Sequence, residues 1–129
     1  MAIASGLFEM EDIGQTLIVT PRQNLRELDW PQIDAGMADV LDRLGEGAVR
    51  NVVLDFHRTD YYGSTALGYF LKLWKRVREH KGRMAFCRLS GHERDILEVA
   101  GLDRLWPVCA SREEALQAIR SGVAVAAPC

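Results

Sequence analysis

The chain has 129 residues, of which 48% are hydrophobic and 26% charged, with a formal net charge of −2. That length suits one domain whose core stands without metal or disulfide staples. The acidic balance, with a pI near 5.9, argues against a general nucleic-acid binder, which favours a basic surface. No apolar run approaches the ~18–20 residues needed to cross a bilayer. The N-terminus lacks the basic-then-apolar pattern of a secretory leader. The expectation is a cytoplasmic protein with no membrane insertion. Cys87, Cys109 and Cys129 are odd in number and widely spaced, without C-x-x-C. They fit reduced thiols, two of them in apolar strands, better than a disulfide framework. His57, His80 and His92 show no metal-ligand spacing with one another or with the cysteines, so neither metal nor cofactor is expected.

In chain order, Met1 to Leu7 reads as a loose lead. Phe8 to Ile13 alternates apolar and acidic residues, Thr16 to Thr20 is β-branched and apolar, and Gly14 lies between them, which predicts a hairpin. Pro21 closes the second strand, and Arg22 to Leu28 is a polar crossover without an assigned structure. Asp29, Pro31 and Gln32 form a helix start, with Asp29 as cap and Pro31 in the first turn. Ile33, Met37, Val40, Leu41 and Leu44 give that helix one apolar face. Gly45-Glu46-Gly47 ends it.

The stretch from Asn51 to Lys81 organises the rest. Val52-Val53-Leu54, closed by Asp55-Phe56, is a short apolar run bounded by turn residues and suits a buried strand. Leu67, Phe70, Leu71, Trp74 and Val77 step by three and four, a helical period. Ser64 therefore stands where a strand has ended and a helix begins, among free backbone N–H groups and the positive end of a helix dipole.

Gly82 marks the end of this helix and Met84 to Cys87 the next strand. Ser90 and Glu93 form a capping box opening a helix to about Ala100, with Ile96, Leu97 and Ala100 inward. Gly101-Leu102 suits a left-handed helix end. Leu105 to Cys109 is a short last strand, with Pro107 near its edge. Ser111 and Glu114 form a second capping box before a helix through Ala115, Leu116 and Ile119, stopped by Gly122. Strands alternating with helices imply parallel pairing with right-handed crossovers. The fold class is α/β: one domain over residues 1–122, a mixed sheet of about five strands packed with about four helices. Residues 123–129 form a tail.

The run Val52 to Leu67, the helix after it, Gly82-Arg83-Met84, the segment Leu97 to Leu105 with its Gly-Leu-Asp-Arg-Leu turn, and Ser111 to Leu116 resemble a STAS domain. That is the family of bacterial anti-sigma-factor antagonists and of the cytoplasmic tails of sulfate transporters. The resemblance spans about Phe8 to Ile119. In the antagonists the loop before the second helix reads Asp-Ser-Ser/Thr-Gly-Leu, and its first serine is phosphorylated by a kinase that is itself the anti-sigma factor. Here the matching run is Gly63-Ser64-Thr65-Ala66-Leu67. The acceptor serine and the leucine are kept, while the aspartate has become Gly63 and the glycine Ala66. The resemblance implies a non-catalytic interaction module. Its phosphorylation site would be Ser64, and Asp60, Tyr61, Tyr62, Gly63, Ser64 and Thr65 would meet the partner, with Asp55 supporting the loop. The implied partners are a serine kinase-type anti-sigma factor and a phosphatase.

Plainer readings stand beside these. Ser64 has the place of an ordinary helix N-cap. Of Tyr61 and Tyr62, one belongs to the core and the other to the surface. The basic run Lys72, Lys75, Arg76, Arg78, Lys81 and Arg83 reads as a solvated face whose cations suit a helix C-terminus. Trp74 reads as core. An enzyme is not expected: Gly63-Ser64 fails the G-x-S-x-G spacing, and no phosphate-loop or zinc motif occurs. His57 near Ser64 is the one catalytic pairing to check. The alternative to a switched antagonist is a constitutive scaffold subunit of a transport ATPase or sensory complex.

Overall fold

The computed structural model describes residues 2–122. Its strands are β1 (Ala2–Ser5), β2 (Phe8–Ile13), β3 (Thr16–Pro21), β4 (Asn51–Asp55), β5 (Met84–Cys87) and β6 (Val108–Cys109). Its helices are α1 (Trp30–Gly45), α2 (Ser64–Glu79), α3 (Gly91–Val99) and α4 (Arg112–Ser121). The strands lie side by side in sequence order in one sheet. β1, β2 and β3 pair antiparallel, and β3 to β6 pair parallel. Each parallel step needs a long return, and α1, α2 and α3 supply the three returns. The hairpin closes at Gly14-Gln15, with Ile13 opposite Thr16 and Gly14 at φ 61°.

Alternation along β4 sorts the core onto two faces. Val52 and Leu54 belong to one apolar cluster with Ile33, Val40, Phe70, Val77 and Leu97 of α1, α2 and α3. Val53 belongs to the other, with Ile18, Cys87 and the α4 residues Ala115 and Ile119. Three helices therefore cover one face and α4 the other. No helix among the described residues is long and apolar enough to cross a membrane.

Several local expectations change. The lead expected to be loose contributes β1, which pairs with β2 from Ala2 opposite Glu11 to Ser5 opposite Phe8; a short segment carries little periodic signal, so its pairing was illegible. The sheet thus gains a sixth strand beside the five expected. Asp29 makes no side-chain cap on α1; a 3-10 turn, Glu27–Asp29, precedes that helix. The buried stripe of α2 is Ala66, Phe70, Leu73 and Val77. Trp74 is half-buried at its margin, with the Arg78 guanidinium 4.9 Å from its ring centroid. Ala100 is exposed, and the buried residues of α3 are Glu93 and Leu97. The Ser90–Glu93 box forms in both directions. At α4 only half a box forms: Ser111 Oγ accepts from the Glu114 N–H, while the Glu114 carboxylate turns back to the Ala110 N–H. The last strand shortens to two residues because Trp106 is swallowed by the core. Gly82 serves close approach: a Cβ there would lie 1.6 Å from the Arg50 carbonyl oxygen, while the left-handed turn falls to Lys81 at φ 58°. The expected tail, 123–129, lies outside the described residues.

Candidate functional site

β4 ends at Asp55 and α2 begins at Ser64, so the loop between them decides how the serine is shown. Its exit is pinned in three ways. The Gly63 N–H donates to the Leu25 carbonyl at 2.7 Å. Leu25 and Tyr62 form an isolated parallel bridge. The Tyr62 hydroxyl donates to the Glu93 carbonyl at 2.7 Å. The Tyr62 ring is fully buried, 5.5 Å from Phe56 and 5.2 Å from Phe70 between centroids. Burial, then the nearby Glu93 charge, pushes its phenol well above the ordinary range. Tyr62 is thus the core tyrosine and Tyr61 the half-exposed one. Tyr62 and Gly63, grouped with the contact loop on sequence grounds, both lie beneath the surface; they support the rim and cannot form it.

Gly63 occupies the N-cap of α2 in extended backbone and carries no capping side chain. Ser64 is the first helical residue, so the reading of Ser64 as an ordinary cap does not hold. Its side chain is exposed. Its hydroxyl has no hydrogen-bond partner among the described residues, whose side-chain bonds all go elsewhere. Thr65 is half-buried beside it. Asp60 is exposed and held by an amide pair: Asn24 Nδ2 donates to its carboxylate at 2.8 Å and its N–H donates to Asn24 Oδ1 at 3.0 Å. Ser90 Oγ donates to the Asp60 carbonyl at 2.8 Å, which ties the loop to the cap of α3. A cleft of about 670 Å³ opens beside the loop, lined by Arg22, Asn24, Arg26, His57, Arg58 and Asp60 among others.

Two groups near the rim escaped sequence reasoning. The Glu27 carboxylate accepts from the Tyr61 hydroxyl at 3.0 Å. Its proton affinity falls below the usual value through its own backbone N–H, the Tyr61 hydroxyl and the Ser64 N–H. Glu93 is fully buried and accepts from the Thr59 hydroxyl and the Ser90 N–H. Burial dominates there and raises its proton affinity. The capping-box pattern marked Glu93 as a cap. No local pattern marked Glu27, because its partner Tyr61 lies on a distant segment.

Asp55 sits on the other face. It is in register with Cys87, which belongs to the cluster under α4. It accepts the His57 N–H and faces His57 Nδ1, both at 3.1 Å. Arg88 donates to it through Nε at 3.0 Å and through a second nitrogen. Arg112 donates through Nε at 3.2 Å and its terminal nitrogen at 3.1 Å. Burial would raise the proton affinity of Asp55, but the bonds from Arg88 and His57 outweigh it and hold the carboxyl below the usual range. Asp55 therefore braces the start of the loop and the foot of α4; it accepts one loop N–H and none from Ser64. His57 is engaged with Asp55, so no Ser64–His57 pair forms. The cations of the basic run lie exposed along α2 and past it, and Arg83 donates to the Ile119 carbonyl at 2.7 Å.

Comparison with known proteins places this geometry. Residues 8–115 match the model of the STAS domain. A Bordetella bronchiseptica protein, provisionally named anti-sigma factor antagonist BtrV, is 32% identical over 114 residues, covering 88% of this chain and 95% of its own. The structure of an anti-sigma-factor antagonist (STAS) domain protein from Planctomyces limnophilus superposes with a TM-score of 0.76 at 26% identity, covering 88% of this chain and 97% of the other. The Bacillus cell fate determinant SpoIIAA, solved in its phosphorylated form, superposes with a TM-score of 0.65 at 24% identity, covering 88% and 99%. On the family match and the shared sequence together, this chain belongs to the STAS domain family.

Proposed function

We propose that this chain is an anti-sigma-factor antagonist whose affinity for its partner is set by phosphorylation of Ser64. The coarser part follows from kinship: the antagonists of this family are non-catalytic regulatory proteins that act through protein contacts. One observation carries the finer part, the exposed and unbonded hydroxyl at the first residue of α2. In its unmodified form Ser64 meets a kinase-type anti-sigma factor, with Asp60, Tyr61 and Thr65 completing the contact. The γ-phosphoryl group of ATP passes to Ser64 Oγ as ADP leaves and the hydroxyl proton is lost. A phosphatase resets the site by hydrolysis. The work is done in the cytoplasm.

The switch needs no refolding. A phosphoserine adds about −1.5 to −2 charges, and free N–H groups at a helix start tolerate an anion. A partner that had covered a neutral hydroxyl would have to strip water from a dianion. A penalty of ~3 kcal/mol weakens binding by roughly a hundredfold. The test is to incubate the chain with its cognate kinase and ATP and map the phosphate by mass spectrometry. The phosphate is expected on Ser64, and labelling that persists in Ser64→Ala overturns the assignment. Equal partner capture by Ser64→Ala and Ser64→Asp would instead identify a constitutive scaffold.

A further inference from the structure

The carboxylate of Glu27 is laid across the glycine that opens α2. A Cβ built on Gly63 would lie 2.3 Å from both Cδ and Oε1 of Glu27, and 2.8 Å from Oε2. The backbone at Gly63, φ −92° and ψ 177°, is open to any residue, so the absent Cβ makes room for the carboxylate and does not serve the dihedral angle. The Tyr61 hydroxyl holds the same oxygen at 3.0 Å, and the Ser64 N–H faces the group. Position 63, where the family resemblance would put an acidic side chain, thus has none, and an acid from another segment fills the space.

The segment just after Glu27 is apolar and bare. The large hydrophobic side chains exposed among the described residues are Ile13, Leu28, Trp30 and Val99. Leu28 is 91% and Trp30 56% exposed, and both adjoin the turn that Glu27 ties down. The turn's own bond runs from the Asp29 N–H to the Arg26 carbonyl at 3.0 Å. An apolar corner therefore lies beside the residue before the exposed serine, held by the Glu27 carboxylate together with the Gly63 N–H bond to the Leu25 carbonyl.

We propose that Glu27 is a displaceable tether: an anion on Ser64 competes with it for the start of α2, drives the carboxylate off Gly63 and frees the Leu28–Trp30 corner. The physical reason is that one helix N-terminus offers a limited set of free N–H groups and a partial positive charge. A covalently attached phosphate has the higher charge and the shorter reach. Two anions in that space repel, and the one on a flexible side chain leaves. Modification of Ser64 then alters the docking surface twice, by adding charge at the rim and by loosening the apolar corner beside it. The tether rests on the reading of Ser64 as the modified residue for its natural trigger, though not for its geometry.

The test is amide hydrogen exchange by NMR on the full chain, read at Asp29, with phosphoserine placed at position 64 by co-translational incorporation so that no kinase is needed. Phosphoserine should raise Asp29 exchange by about two- to fivefold, the scale of one carboxylate at an exposed helix start. Glu27→Ala should raise it by a similar factor and make phosphoserine silent at Asp29. Gly63→Ala should evict the carboxylate without adding charge and give the same rise, which keeps the test readable should Glu27→Ala fold poorly. Unchanged exchange at Asp29 on phosphoserine incorporation, or an equal response in the Glu27→Ala background, overturns the tether. The two readings fail separately: a kinase that never labels Ser64 would sink the switch and leave a measured coupling intact, whereas labelled Ser64 with a silent Asp29 would sink the tether alone.

Discussion

Asp55 and Glu93 flank the same loop and are equally buried, yet their proton affinities move in opposite directions. Asp55 closes β4 under two guanidinium groups. Glu93 caps α3 among a hydroxyl and a backbone amide, with the Asp60 charge nearby. Burial raises both, and hydrogen bonds from cationic partners reverse the sign only at Asp55. A buried acid is therefore a brace or a liability according to its neighbours, and burial alone does not say which.

The largest expected effect is at Asp55. Asp55→Asn leaves Arg88 without a counter-charge and Arg112 with only Glu11, whose carboxylate lies 3.3 Å from it. Removing one member of a fully buried ion pair costs ~3–5 kcal/mol; both arginines here are partly solvated, which puts the loss at about 2–3 kcal/mol in a urea melt. Glu93→Gln should cost less than about 1 kcal/mol, since its bonds are to neutral groups. Equal losses would break the comparison.

The pH dependence sharpens it. The folded value of Asp55 is depressed, so its contribution is fully present above the unfolded value of ~4 and is lost as pH falls through the folded one. The folded value of Glu93 is raised, so its contribution is present below ~4 and is lost as pH rises through the folded one. Thermal melts from acid to neutral pH should show Asp55→Asn with a flatter acid limb. Glu93→Gln should lose the opposing slope above pH ~4.

Smaller effects are expected along the loop. Tyr62→Phe removes the 2.7 Å hydrogen bond to the Glu93 carbonyl and should cost about 1 kcal/mol by urea melt. Ser64→Ala should shift stability by less than about 0.5 kcal/mol, because Gly63 and not Ser64 holds the cap position. A large loss in Ser64→Ala would show that the serine is structural after all.

The order of strands and helices was readable from local pattern: period two in β2, period 3.6 in α1, and the Ser90–Glu93 box at α3. Even α2 was found from its period, although its buried stripe lies one position over, on Leu73 instead of Trp74. The site was half readable. Ser64 was visible as the junction of a strand-loop-helix run, and its placement at the first turn of α2 needed only local reasoning. Which tyrosine turned inward was not visible, because both have the same neighbours in sequence and only the Glu93 carbonyl and the aromatic cluster tell them apart. Arg88 and Arg112 looked like any surface arginines until Asp55 lay between them.

By itself the sequence determined the element types, the alternation that forces parallel pairing, the family and the serine at the head of α2. These depend on residues within a turn or two of one another, where periodicity and capping act. Tertiary structure alone decided that Asp55 would be neutralised by Arg88 just past β5 and by Arg112 of α4, that β1 would pair, and that Glu27 would fill the space Gly63 leaves open. Each of those contacts joins segments far apart along the chain, and a side chain's partner across such a gap is set by how the sheet and helices close on one another.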